Sequence, residues 1–293
     1  MAQRSILLGG RGATVLIAPS WLLLGLIIVL PAGYVFWLSF EQSSFGQSPR
    51  FVGLANYVAI LNDPYFWRAL RNTTVVVLAV VAAEIVIGLG IAVLFASGIP
   101  ARPIWLAVML APYAVSEVAA VVMWRFLLDP ETGPLTHFLE PMGLALDWAV
   151  VPSHGLVLAG ILSIWLHLPF TFVILYAARL ALPGQIYEAA KVDGASGLQQ
   201  FRQLTLPLLR PAILVAMLFR TITGFRLFSE VWLTTQGGPA RATEVAAIYL
   251  YLEGFRYDSF GVAAATGWMM VLAAFLVSLL YVRRLYKDMA DAG

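Results

Sequence analysis

The chain has 293 residues, of which 61% are hydrophobic and only 12% charged, against a soluble average of roughly 45–50% apolar and about 25% charged, so it reads as an integral membrane protein. The formal net charge is +2 with no cysteine, and the basic residues are spaced along the chain rather than clustered. That excludes a nucleic-acid-binding tract, disulfides, Cys-ligated zinc and thiol nucleophiles.

His137, His154 and His167 lie 17 and 13 residues apart, which does not put two metal ligands on one helical face, so no metal site is expected. A P-loop needs Gly-Lys-Ser/Thr, whereas Lys191 and Lys287 follow Ala190 and Tyr286. Nucleotide energy, if used, must come from another chain.

A helix needs about 20 apolar residues to cross about 30 Å of hydrocarbon. Six stretches qualify, at about 14–39, 73–96, 104–126, 156–178, 212–234 and 260–282. They lack the alternation of barrel strands, and backbone groups in lipid must bond internally. The expected fold is all-α: a polytopic membrane protein of six transmembrane helices forming a single domain over 1–293. The first run, Ala13 to Phe40, exceeds a signal-peptide core of about 7–15 residues and is read as a retained span. After it, Leu54 to Trp67 (LANYVAILNDPYFW) mixes aromatic, aliphatic and polar residues, as expected of a helix lying at the interface.

Orientation follows the Lys and Arg bias. With the N-terminus inside, the inner segments hold Arg4, Arg11, Arg102, Arg179, Lys191, Arg202, Arg210, Arg283, Arg284 and Lys287. The longer outer segments hold Arg50, Arg68, Arg71, Arg125, Arg241 and Arg256. Both termini are expected in the cytoplasm.

Ionisable residues within spans are costly and usually face a bundle interior or an aqueous cavity. The candidates are Glu84, Glu117, Arg220, Arg226 and Glu230. In span three, Tyr113, Ser116 and Glu117 surround Pro112, which loosens the backbone ladder. In span four, Trp165 is a candidate ring for stacking on a solute, with His167 near it and Pro169 beyond. In span five, Arg220, Thr223, Arg226 and Glu230 fall within roughly a 120° arc of one helix. That stripe reads either as part of a solute path or as an internal ion pair of Arg226 with Glu230; Arg220, nearer the inner end, is expected to snorkel.

The inner segment between spans four and five, 183–211, is unusually polar. QIYEAAKVD reads as one helix, Gly194 as the left-handed residue that closes it, and ASGLQQFRQL as a second short helix limited by Pro207 and Pro211. The result is a helix-turn-helix under the membrane, suited either to lying on lipid or, through its small and charged residues, to fitting a protein groove.

Glu188-Ala189-Ala190, Asp193-Gly194-Ala195, Leu206-Pro207 and Pro211 resemble the EAA loop of ATP-binding cassette import permeases. FVGLANY (Phe51 to Tyr57), DPYFWRALRNT (Asp63 to Thr73) and TTQGGPARATE (Thr234 to Glu244) are similar to the maltose-type carbohydrate branch. One departure is Phe228-Ser229, where relatives often carry Phe-Asp. The resemblance implies that Glu188, Ala189, Ala190, Asp193, Gly194 and Ala195 couple the chain to an ATPase. The polar and aromatic residues within spans three to five read as a solute path that takes in Tyr113, Glu117, Trp165, Thr223, Arg226 and Glu230. The implied system is a carbohydrate importer of a bacterial or archaeal plasma membrane. It would contain a second homologous permease, two copies of a cytoplasmic ATPase that bind ATP and Mg, and an external substrate-binding protein. The chain itself would hold no cofactor and catalyse no bond-making. An ion-coupled secondary carrier, or a cassette permease for a glycerophosphodiester or polyamine, are the other readings.

Overall fold

The computed structural model describes the backbone of residues 10–290. Arg4 lies outside the described residues, as do the side chains of Arg11 and Lys287. Among the described residues five helices are long and apolar enough to cross a membrane, and two further helices joined at a 99° bend meet the same test only as a pair. The only strands among the described residues are β1 (Glu41–Gln42) and β2 (Arg50–Phe51), an antiparallel pair. The fold is thus an all-α polytopic membrane protein, and its chain divides into two compact units.

One unit comprises residues 1–62 and 250–268. Helix α1 (Gly10–Leu24) continues through a π turn, Gly25–Val29, into α2 (Leu30–Leu38). The strand pair follows, and then α3 (Ala55–Asn62). Asn56 explains the FVGLANY stretch: its buried amide donates to the carbonyls of Ser39 and Glu41, both at 2.9 Å, and so fixes the chain where it leaves the first span. The expected interfacial helix therefore ends at Asn62. Asp63 and the residues after it belong to the next span.

The other unit comprises residues 63–249 and 269–293. Asp63 caps α4 (Pro64–Ala96), accepting from the Tyr65 amide at 2.8 Å, with Pro64 in the first helical position, where its missing N–H costs nothing. Span two thus begins nine residues before its apolar run does. Next come α5 (Arg102–Ala114), α6 (Glu117–Leu127), α7 (Pro134–Leu139) and α8 (Pro152–Leu180). The continuous helix expected over 104–126 is instead broken between Ala114 and Glu117. Pro112 removes one ladder hydrogen bond, Val115 is extended at φ −86°, ψ 142°, and Glu117 starts a new helix with its acid in the first turn, where the helix dipole favours it.

Helices α4 and α8 form the centre of this unit. At Gly88 a Cβ would lie 3.3 Å from Thr171 Cγ2 and 3.5 Å from the Phe172 amide nitrogen, so the missing side chain lets the two backbones approach. Phe95, Phe172 and Tyr176 pack beside this contact, the last two stacked at 5.2 Å.

After α8 come α9 (Gly184–Val192) and α10 (Gly197–Gln200), then a π turn at Phe201–Thr205 and α11 (Leu206–Gly224). The second short helix expected before Pro207 is therefore the start of one 28-residue helix, Gly197–Gly224. The wider π turn lies just ahead of Pro207, whose ring an uninterrupted α-helical ladder would not accommodate. At its far end, α11 stops at Gly224 rather than running to 234. Residues 225–228 turn, and α12 (Ser229–Trp232) is a separate short helix. A side chain at Gly224 would come within 2.9 Å of Val77 Cγ1, so the helix ends in close contact with α4.

Beyond α12, the TTQGGPARATE loop folds back on the start of α4. Asn72 donates to the carbonyls of Ala242 and Glu244, both at 2.9 Å, and Thr73 Oγ1 accepts from the Ala246 amide at 2.8 Å. Arg241 pairs with Glu244 and lies over the Tyr65 ring, and Tyr249 donates to Asp63 at 2.8 Å. Two motifs about 170 residues apart in sequence thus form one structural joint. After it, α13 (Ala246–Tyr251) leads to α14 (Phe260–Ala290). Replacing Asn72 with Ala leaves two carbonyls without their donor, each worth about 1–3 kcal/mol when buried. The expected outcome is faster amide hydrogen exchange across 235–246, with the exchange of α8 unchanged.

Candidate functional site

Two features concentrate polar side chains: a cavity inside the helical unit and the turn between α9 and α10. The cavity, of about 260 Å³, is walled by the α5–α6 break, the middle of α8, the end of α11 and the segment after it. Tyr113 and Glu117 come from the break, Thr223 from α11, and Arg226 and Glu230 from beyond Gly224. Five of the six expected path residues therefore line one space. Trp165 does not: it packs edge-to-face against Trp124 at 5.6 Å, within an apolar cluster that includes Val121 and Leu162. Its wall position on α8 is taken by Ser163, His167 and Phe170. Spacings of four and three residues put these three on one helical face.

The single helical stripe expected over Arg220 to Glu230 does not form, because the helix carrying Arg220 and Thr223 ends at Gly224. Arg226 and Glu230 instead reach the cavity from the following turn and from α12. No ion pair joins them among the described residues. Arg226 is exposed, whereas Glu230 is buried with its Oε2 lacking any hydrogen-bond partner among the described residues.

Arg220 does not snorkel. It is 3% exposed, and its guanidinium meets the fully buried Glu84 twice, Nε to Oε2 at 2.6 Å and Nη2 to Oε1 at 2.8 Å. Thr171 Oγ1 donates to the same carboxylate at 3.1 Å, and Arg220 Nη1 donates to Thr223 Oγ1 at 2.9 Å. Both charges are visible in the sequence, but 136 residues separate them. Nothing local pairs them; the only hint is one unmatched acid and one unmatched base in different spans.

The second feature is built locally. Helix α9 closes where the Ala195 amide donates to the Ala190 carbonyl at 2.8 Å and the Gly194 amide to Lys191 at 3.1 Å, with Gly194 at φ +79°. Ordinary side chains rarely adopt that angle, which is why glycine stands here. Ser196 then opens α10 with a reciprocal capping box to Gln199. Glu188, Ala189, Asp193 and Gly194 are exposed, Ala190 and Ala195 partly so, and Val192 is 88% exposed. The turn is anchored from behind: the Tyr187 hydroxyl lies 3.0 Å from buried Thr205 Oγ1, and the Arg179 guanidinium sits 4.0 Å from the Tyr187 ring centroid. A cleft of about 400 Å³ opens between Ala190, Asp193 and Gly194 on one side and Gln199, Gln203 and Leu204 on the other.

Residues 84–287 match the family described as the inner membrane component of binding-protein-dependent transport systems. The chain belongs to that family. Among similar transport permeases is the sulfoquinovosyl glycerol transport system permease protein of Agrobacterium fabrum, 32% identical over 92% of this chain and 89% of that one. The trehalose transport system permease protein of Mycobacterium tuberculosis is 30% identical over 97% of this chain and 91% of its own length. The fold is similar to that of a chain in the crystal structure of a bacterial transporter that imports alginate, with TM-score 0.79 and 20% identity over 94% of this chain and 95% of that one. The family match includes the α9–α10 turn and every residue that lines the cavity. The start of α4, with Asn72 and Thr73, lies before it.

Removing Arg220 alone strands a buried carboxylate, and breaking such a pair costs about 3–5 kcal/mol. Arg220→Met is therefore expected to lower the thermal unfolding midpoint of the detergent-solubilised protein sharply. The Glu84→Met/Arg220→Met double variant should recover most of that loss. Equal destabilisation of both variants would show that the pair is not the source.

Proposed function

We propose that the chain is a membrane-spanning permease subunit of an ATP-driven carbohydrate importer, working by alternating access. The observation that carries this reading is the exposed α9–Gly194–α10 turn in a chain that belongs to a transport family: a rigid, anchored knuckle presenting Glu188, two alanines and Asp193 outward. Small residues permit close approach by another backbone, and the acids offer directional contacts. The carbohydrate class is supported by the two named relatives, whose transport systems are for trehalose and sulfoquinovosyl glycerol. ATP and Mg would be bound by separate ATPase subunits, two per complex. A second homologous permease and an external binding protein would complete the assembly, with both termini of this chain in the cytoplasm of a multi-pass protein.

Helix Gly197–Gly224 gives the mechanism its lever. Its 28 residues span about 40 Å at 1.5 Å per residue, starting beside the turn and ending at the cavity wall. When the ATPases close, a contact on Glu188 and Ala189 displaces the turn as a rigid body. The displacement passes along α11 to Thr223 and Gly224, and from there to the segment that carries Arg226 and Glu230. The cavity then exchanges one face for the other without any chemistry in this chain.

Two substitutions test the coupling. Glu188→Lys reverses the charge of an exposed side chain and should reduce carbohydrate-stimulated ATP hydrolysis in the reconstituted complex at least about tenfold, as loss of a paired interface charge does. Gly194→Val has open space around it but forces a β-branched residue to φ +79°. It should impair the same activity while the complex still assembles. Full activity of both variants in an assembled complex would refute the coupling role. Arg226→Ala, by contrast, is expected to lower transport and leave assembly intact.

A further inference from the structure

The charges around the cavity carry the carbohydrate reading one step further and rest on it. Arg220 lies in the wall, but its guanidinium is held in two hydrogen bonds by Glu84, so its charge is already matched. That leaves one base, Arg226, and two acids, Glu117 and Glu230, lining the same space. Arg226 and Glu117 are exposed, and among the described residues neither has an ion-pair partner.

Glu230 is the unusual member. It is 2% exposed, and its Oε2 is buried without a hydrogen-bond partner among the described residues, at the wall of a space large enough to hold several small polar groups. A buried acceptor left unmatched is costly, and a donor arriving with a solute would recover that cost. Sugar hydroxyls are such donors. Sugar phosphates, sulfonates and uronates keep such hydroxyls but add a negative charge, and in a wall whose unpaired charges are one base, Arg226, and two acids, Glu117 and Glu230, they would lose hydration without gaining a net positive field.

We propose that the cavity filters solutes by charge: it takes an uncharged polyhydroxylated solute, one hydroxyl of which donates to Glu230, and rejects sugar phosphates, sulfonates and uronates. Glu230 is thereby the residue that senses the solute's donors, and Glu117 adds a second negative charge to the same space. Selection at this point adds to whatever an external binding protein selects.

The test uses the assembled complex in nanodiscs without the external binding protein, so that retention reports the membrane site alone. Labelled trehalose, maltose, sucrose and cellobiose are compared with sn-glycerol 3-phosphate, glucose 6-phosphate and galacturonate. At least one neutral disaccharide should be retained about tenfold better than any anion. Glu230→Gln should weaken that retention by about tenfold, the worth of one hydrogen bond to a charged acceptor. Because Glu230 is buried, a second variant at an exposed position guards against misfolding: Glu117→Arg reverses the field and should raise anion retention at least tenfold. An anion retained as well as every disaccharide by the unaltered complex, or unchanged anion retention in Glu117→Arg, overturns the filter. If no solute is retained while the full system still hydrolyses ATP in response to a carbohydrate, the site assignment fails alone. If hydrolysis responds to no carbohydrate, the reading beneath it fails instead.

Discussion

The ion pair of Glu84 with Arg220 is the constraint on which the helical unit depends. In water such a pair is worth little, but inside an apolar bundle each partner would be very costly alone, so neither can leave without the other. The pair joins α4 to α11, and Thr171 adds α8 to the same carboxylate. Three helices are thereby held at one level, where Gly88 and Gly224 already bring their backbones close. Small residues supply the approach and the ion pair supplies the register. Apolar packing against lipid would specify neither, since a lipid tail is as good a partner for leucine as another leucine is.

This constraint also shapes what lies beside it. With Arg220 committed to Glu84, the polar surface left at the end of α11 is Thr223 and the segment that follows Gly224. The helix ends where it meets Val77, and the chain then needs a turn before α12 can bring Glu230 back to the cavity. A proline-weakened break in the facing span supplies Tyr113 and Glu117 from the other side. The cavity is therefore a gap between the ends of α5, α6 and α11, closed by one flank of α8. Backbone irregularity at membrane depth is tolerated where it lines such a space.

Much of the architecture was legible in the sequence because it is written in composition over long windows. Spans one, two, four and six follow from apolar runs, and the α9–Gly194–α10 turn follows from local rules of capping and glycine conformation. Span three was legible only in part: Pro112 announces a weak point, but the break is completed by Val115 and Ser116, whose extended backbone no periodicity reveals. Span five misled because Phe225 to Leu233 is apolar enough to extend the run, and hydropathy does not distinguish a helix from a turn followed by another helix. That error placed Arg226 and Glu230 on a stripe that does not exist, although both still reach the cavity. The ring of Trp165 suggests a solute contact, whereas the face of α8 turned to the cavity is set by Ser163, His167 and Phe170. The pairing of Asn72 with the loop after Gly238 depends on contacts some 170 residues apart, for which a single sequence holds no local signal.

The continuity of Gly197–Gly224 decides how movement can pass through the protein. Had Pro207 ended a separate helix, a push on the turn would have been absorbed at a flexible joint before it reached the membrane. The π turn instead carries the helix past that proline without a break, so the turn and the cavity end belong to one stiff element. Near its far end, Arg220 ties this element to α4 and α8, so α11 cannot slide along them independently while the pair stays closed. Displacement must then be carried either by α4, α8 and α11 moving together or by the hinge after Gly224. On the proposed mechanism both routes deliver it to the segment that carries Arg226 and Glu230.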